Sequence, residues 1–140
     1  MQATLYIPMI VIILANVMYH NLVKITPPQA NAYLSLSVAY AVAMVMTFAI
    51  YLFSDHKLGD DFLSLNPCSY LLGFAIVGIE LGYIFLYRNG FKISSSSLIA
   101  NIAVAALLII AGVFFYKEQL SIKQIFGILL CLGGFFFIKG

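Results

Sequence analysis

Five long apolar runs, separated by short polar breaks, dominate this sequence. Hydrophobic residues make up 64% of the 140 positions and charged residues only 9%, whereas a soluble domain carries roughly 25% charged residues. A surface that faces water cannot be built from this composition, so the bilayer is the expected solvent. A membrane-spanning helix needs about 20 mostly apolar residues. The predicted spans cover residues 5–23, 31–53, 68–87, 97–116 and 122–138.

The apolar runs predict helices and not barrel strands. Strands that cross a membrane are near ten residues long and alternate apolar with polar side chains, and these runs do neither. Pro27 and Pro28 cannot continue the first helix, and Asn66 followed by Pro67 is a helix-start signal. The predicted fold class is therefore all-α: a polytopic helical bundle of five transmembrane helices in a single transmembrane domain, residues 1–140.

Composition and motifs argue against several classes of function. A net charge of +2 with scattered basic residues gives no surface for nucleic acid. Cys68 and Cys131 lie in or beside apolar runs, without the spacing of a metal site. The sequence contains no HExxH, no GxSxG and no phosphate-binding glycine loop with its lysine. It therefore predicts a protein that is not an enzyme, with no cofactor and no metal site.

Glu80 is the one charged residue in the apolar run of residues 68–87. A charge near the bilayer centre costs about 2.5 to 3.5 kcal/mol on insertion scales, so such a residue usually has a function. Glu80 lies about two residues from the centre of its span, roughly 3 Å at 1.5 Å per residue. Alternating-access transporters bind substrate at this depth. The helical repeat places Gly73, Tyr83 and Tyr87 on the same face. The alternative is a protonated glutamate that only joins neighbouring helices.

Polar residues on three other spans are candidates for lining a cavity. Asn16 and His20 share a face of the first span; Asn16 is deeper, and His20, near the end of the span, is interpreted as an interfacial histidine. Tyr40 belongs to a polar stripe on the second span, which helix packing also explains. Asn101 and Gln124 lie in rows of small residues that favour close packing or dimerisation. The predicted substrate-binding or coupling residues are Glu80, Tyr83, Tyr40, Asn16 and Asn101.

Basic residues are divided almost evenly between the two sides of the membrane. With five spans, one side holds Lys57, Lys117 and Lys123, and the other holds Lys24, Arg88, Lys92 and Lys139. Because an excess of Lys and Arg normally sets orientation, the near tie indicates either a weak bias or a chain that inserts both ways and pairs with an inverted copy. An antiparallel homodimer, a parallel dimer and a hetero-pair all remain open.

The last two spans resemble the closing hairpin of an EamA-type repeat in the drug/metabolite transporter superfamily. Residues 101–140 contain an apolar helix with an aromatic-rich end, a KEQLS turn and a glycine-bearing last helix. The matching residues are Phe115, Glu118, Leu120, Ser121, Gly127, Gly133 and Gly134. The resemblance implies one five-span half of a transporter whose full-length relatives have ten spans in two inverted halves. Glu118, at a helix end, is expected to cap or brace the hairpin.

Small multidrug resistance proteins are related to this superfamily and differ from this chain in one important residue. They have four spans, work as antiparallel dimers and place an essential glutamate on the first helix. Here the first span carries no acid and the membrane glutamate, Glu80, is on the third. Their mechanism is therefore not carried over.

Together the residues and the resemblance predict a half-size membrane transporter in the lipid bilayer. It would move a small metabolite or amphipathic compound by alternating access, as a dimer. A bacterial inner membrane is the expected location, because the sequence has no signal for a eukaryotic organelle. One alternative is a flippase component for a lipid-linked precursor, which needs a phosphate-binding cation such as Arg88 or Lys92. The other is an assembly protein that transports nothing.

Overall fold

The computed structural model describes residues 3–54 and 57–138, and the side chains of residues 6–54, 57–131, 133 and 134. Six helices occur in these ranges: α1 (Ala3–Ile25), α2 (Ala32–Leu52), α3 (Leu58–Leu63), α4 (Pro67–Arg88), α5 (Ile93–Phe114) and α6 (Ile122–Ile138). No strand occurs in the same ranges, and the all-α prediction is confirmed. Lys139, counted above for orientation, and Asp55 and His56, in the polar loop before α3, lie outside the described residues.

Four of the helices, α1, α2, α4 and α5, are long and apolar enough to cross a membrane. Helix α6 has 17 residues, which is about 26 Å at 1.5 Å per residue and at the lower end of the range for a span. The helical membrane bundle is confirmed by these helices. A crossing by α6 stays a prediction.

Two features of the helices differ from the predicted spans. Helix α3 contains two aspartates and has no apolar run to predict it. Its Asp61 Oδ2 accepts hydrogen bonds from the Tyr51 hydroxyl at 2.8 Å and the Lys57 N–H at 2.9 Å, which hold α3 beside the end of α2.

Helix α5 begins four residues before the predicted span. Ser97 Oγ donates to the Ile93 carbonyl at 2.6 Å, so this hydroxyl is satisfied inside the helix.

Side-chain caps fix the starts of three helices. Asn31 Oδ1 accepts from two N–H groups in the first turn of α2. Asn66 caps α4, and Pro67 follows at a position whose N–H would be unpaired in any case. Before α6, Gln124 Oε1 accepts from the Ser121 N–H at 2.8 Å and Ser121 Oγ accepts from the Gln124 N–H at 3.3 Å. This reciprocal pair is a capping box.

The chain forms two compact units. Residues 22–89 form the first, and residues 1–21 with 90–140 form the second. The core of the first unit lies between α2 and α4, where Ala32, Leu36 and Ile84 are buried and the side chains of Val23, Tyr40 and Leu81 pack against them. The second unit contains most of α1 and the α5–α6 hairpin. A single transmembrane domain stays a prediction.

The turn between α5 and α6 brings Glu118 against Gly112. The Gly112 carbonyl accepts from the N–H groups of Tyr116 and Glu118 at 3.2 and 3.0 Å, and Lys117 between them is left-handed, with φ of 55°. A Cβ at Gly112 would lie 2.7 Å from Glu118 Oε2, so the carboxylate packs on the glycine. This contact supports the bracing role expected for Glu118.

Candidate functional site

Glu80 lies on the face of α4 that packs against α2. Its side chain is half-buried, and Ile84 and Tyr87, one and two turns further along the same face, are only 4% exposed. The side chains of residues 67–79, which precede it, are all exposed. Glu80 therefore stands where the packed half of α4 meets its open half.

Tyr40 of α2 packs against the core that contains Ile84, one turn after Glu80 on α4. The Tyr40 hydroxyl oxygen is buried without a hydrogen-bond partner among the described residues. The Glu80 carboxylate also has no hydrogen bond or ion pair with any described residue. A buried polar group without a partner costs about 1–3 kcal/mol, so the Tyr40 hydroxyl is suited to pairing with a ligand or water.

A groove of about 510 Å³ opens between α2 and α4, and Tyr40 forms part of its wall. Aromatic rings dominate the lining, and nothing lies within 4 Å of where a Gly73 Cβ would be. The groove therefore offers an apolar surface with three aromatic rings, and Glu80 is not among its lining residues. Its lining residues are Tyr40, Tyr70, Gly73, Phe74, Ile76 and Val77.

Tyr83 lies one turn after Glu80 and is held by an aromatic stack. Its ring is 5.8 Å from that of Tyr87, at an interplanar angle of 29°. Lys24 Nζ donates to the Tyr87 carbonyl at 3.4 Å and lies 5.8 Å from the centre of that ring, a cation–π arrangement. Of the predicted site residues, Tyr40 thus packs against the α2–α4 core, Glu80 lies one turn before Ile84 of that core, and Tyr83 is one turn after Glu80 along α4.

Asn16 and Asn101, the other two predicted site residues, line a cavity of about 400 Å³ between α1 and α5. His20 lines it too and is only 7% exposed, with its ring edge-on to Tyr19 at 5.1 Å. Asn16 and His20 thus line one cavity, in agreement with the helical face that the sequence assigned to both. The interpretation of His20 as an interfacial histidine stays a prediction. The full lining is Ile12, Ile13, Asn16, Val17, His20, Asn21, Ile93, Ser97 and Asn101.

Comparison with known families decides the class of protein. The profile of the EamA-like transporter family matches residues 5–140. The chain belongs to the EamA-like transporter family. The likeness noted for the last forty residues thus extends over nearly the whole chain. Members of this family are membrane transporters and not enzymes, so this protein is an integral membrane protein of a transporter family. No curated protein and no solved structure matches it.

The small-residue rows of this EamA-like chain face each other across α5 and α6. A groove of about 490 Å³ lies between them, so the two rows are not in direct contact along their whole length. Asn101 and Gln124 are the polar residues of the lining. The other lining residues are Cys131 and apolar side chains. The lining is Asn101, Ile102, Ala105, Ala106, Ile109, Leu120, Gln124, Gly127, Ile128 and Cys131.

Arg88 of the EamA-like chain is bound to backbone carbonyls. Its Nη2 donates to the Ala30 carbonyl at 2.6 Å and approaches the Pro27 carbonyl at 3.5 Å. These bonds tie the α1–α2 loop to the end of α4. The Nε of Arg88 is buried without a hydrogen-bond partner among the described residues and Lys92 is exposed, so the flippase stays an alternative.

Proposed function

We propose that this chain is one half of a transporter that moves a small metabolite or amphipathic compound by alternating access, with Glu80 as its substrate-binding or coupling carboxylate. The observation that carries the proposal is Glu80 itself, a carboxylate within a membrane-spanning helix one turn before the buried Ile84. The carboxylate is half-buried and has no hydrogen bond or ion pair in the described part of the chain. A glutamate kept only to join helices needs a partner group on a neighbouring helix, and the described helices supply none.

The chemistry of Glu80 and Tyr40 fits an amphipathic compound. An ionised carboxylate accepts hydrogen bonds and attracts a cation, a protonated one donates, and the tyrosine hydroxyl does either. The rings of Tyr70 and Phe74 offer an apolar surface in the groove that Tyr40 also lines. A polar group of the substrate would meet Glu80 and Tyr40 while its apolar part lies along the groove. Tyr83 would complete the site, and Asn16 and Asn101 would line the pathway in the other unit.

We also propose that two copies form the transporting assembly. Five helices are few to enclose a pathway, and full-length relatives implied by the family resemblance have ten. The near tie of basic residues across the membrane supports an antiparallel homodimer. A parallel dimer and a hetero-pair are the alternatives that an orientation experiment separates. The proposed location is a bacterial inner membrane.

Solute flux in proteoliposomes tests the role of Glu80. Radiolabelled metabolites and amphipathic compounds are screened with the unaltered chain, and the transported solute is then measured with Glu80→Gln. A hydrogen bond to a charged group contributes about 1.5–3 kcal/mol, so we expect flux to fall by about tenfold or more. The Tm in detergent should be nearly unchanged, because the substitution removes no hydrogen bond from any described group.

The matched control is Asp60→Asn, the same chemical change at an exposed carboxylate on α3. It should transport at the unaltered rate. Equal flux in Glu80→Gln would remove Glu80 from the mechanism. Absence of flux for every solute, together with unchanged binding and stability in Glu80→Gln, would favour the assembly protein.

A further inference from the structure

The cavity between α1 and α5 differs in chemistry from the Glu80 face. Its lining contains no Asp, Glu, Lys or Arg, yet more than half of the lining residues are polar. Its volume of about 400 Å³ falls in the range of roughly 300–1,000 Å³ that is typical of small-molecule sites. The polar lining residues are Asn16, His20, Asn21, Ser97 and Asn101.

The polar groups of this cavity offer both donors and acceptors. Asn21 donates its amide N–H to the Val17 carbonyl at 2.7 Å and Ser97 donates its hydroxyl at 2.6 Å within its own helix, so each keeps an oxygen that accepts. Asn16 and Asn101 make no hydrogen bond with any described residue. Each therefore has a carbonyl oxygen and two N–H donors to offer a ligand.

We infer that this cavity binds a neutral group that both donates and accepts hydrogen bonds, as a carboxamide or a polyol does. An ion that enters the cavity loses its hydration and meets no opposite charge from Asp, Glu, Lys or Arg. This costs far more free energy than the transfer of a neutral polar group. A purely apolar ligand would desolvate the two carboxamides without pairing them, which is also unfavourable. A neutral donor–acceptor ligand avoids both costs.

This inference deepens the proposed function and rests on it for the part that the cavity plays in transport. Binding itself is measured without transport. The apolar residues around the carboxamides, such as Ile12 and Val17, would contact the carbon skeleton of the ligand. The transported solute would accordingly carry an uncharged polar group.

Thermal unfolding of the full chain in detergent, with small probes of equal size and different charge, tests the inference. Nicotinamide is neutral, nicotinate is an anion, and 1-methylnicotinamide, methylated on the ring nitrogen, is a cation of nearly the same shape; glucose represents the polyols. A ligand that binds the folded state raises Tm in proportion to RT ln(1 + [L]/Kd). We expect a concentration-dependent rise with nicotinamide or glucose and none with the two ions.

Variants place the effect in the cavity. Asn16→Leu and Asn101→Leu keep side-chain size and remove the hydrogen bonds, so each should raise the Kd for the neutral probe by about tenfold or more. Thr47→Val, which removes an exposed hydroxyl from α2, should leave Kd unchanged.

Three results would overturn the inference. The first is that neither neutral probe raises Tm, and the second is that the ions raise it equally. The third is that both leucine variants bind the neutral probe as the unaltered chain does. Failure of the Glu80 flux experiment alone would leave the binding result standing.

Discussion

Two glutamates of this membrane chain have different surroundings. Glu118 lies in an exposed turn, with its carboxylate packed on Gly112. Glu80 lies half-buried within a span, without a hydrogen bond among the described residues. The family resemblance singled out Glu118, whereas the cost of charge in a bilayer singled out Glu80. The first glutamate shapes the hairpin, and the second is available for a ligand.

Gly90 and Gly112 should respond differently to alanine. Gly90 has φ of 87°, where an L side chain costs about 1–2 kcal/mol, so Gly90→Ala should lower the free energy of unfolding by that amount. At Gly112 the new Cβ would meet Glu118 Oε2, but that oxygen ends a flexible, exposed side chain. Alanine also favours the helix by about 1 kcal/mol. We expect Gly112→Ala to change stability by less than about 1 kcal/mol.

Chemical unfolding in mixed micelles measures both glycine variants. Gly59→Ala, at a helical position with open space around it, is the control. A larger loss for Gly112→Ala than for Gly90→Ala would show that the Glu118 contact is rigid.

Among the elements, helix boundaries were the most predictable part of the fold. The Asn66–Pro67 signal marks the start of α4 because Asn66 caps the helix and Pro67 fits its first turn. Helix α3 was not predictable, since its contacts come from one aspartate and not from an apolar face. The early start of α5 was missed because serine reads as a loop residue in hydropathy, while Ser97 bonds within its own helix.

The sequence predicted individual candidate residues of the site, but not which of them lie near one another. Helical spacing placed Glu80 and Tyr40 each on a face, but spacing within one helix cannot say which helices become neighbours. Their relative placement depends on the packing of α2 against α4, around Leu36 and Ile84. The burial of His20 was not predictable for the same reason, because the cavity that it lines lies between α1 and α5.

Arg88 should stabilise the contact between the α1–α2 loop and α4. Arg88→Met removes the bonds to the Ala30 and Pro27 carbonyls and leaves both carbonyls exposed to water in part. Hydrogen bonds to charged groups contribute about 1.5–3 kcal/mol when buried, so for this half-buried side chain we expect a loss of about 1–2 kcal/mol. Lys92→Met, at an exposed lysine without a side-chain cap bond, is the control.

Limited proteolysis at the α1–α2 loop measures the effect of Arg88. Cleavage should be faster in Arg88→Met and unchanged in Lys92→Met. Equal cleavage rates in the two variants would show that the guanidinium does not hold the loop.

For the whole molecule, orientation in the membrane is the property that decides the assembly. With three basic residues on one side and four on the other, the antiparallel proposal predicts that each terminus is found on both faces of the membrane. Tags at both termini, tested with an impermeant reagent before and after the membrane is opened, measure this. Two lysines added to the α1–α2 loop should produce one orientation and abolish flux. A single orientation in the unaltered chain would contradict an antiparallel homodimer.

The central claim is that substrate meets the Glu80 carboxyl inside the helical bundle. A membrane-soluble carbodiimide reacts with carboxyl groups that lie in apolar surroundings, and mass spectrometry of the labelled peptide reports the reaction at Glu80. We predict that Glu80 is labelled in proteoliposomes and that the transported solute slows its labelling, while labelling of Glu118 is unaffected by that solute. No labelling at Glu80, or labelling that the solute leaves unchanged, would contradict the claim.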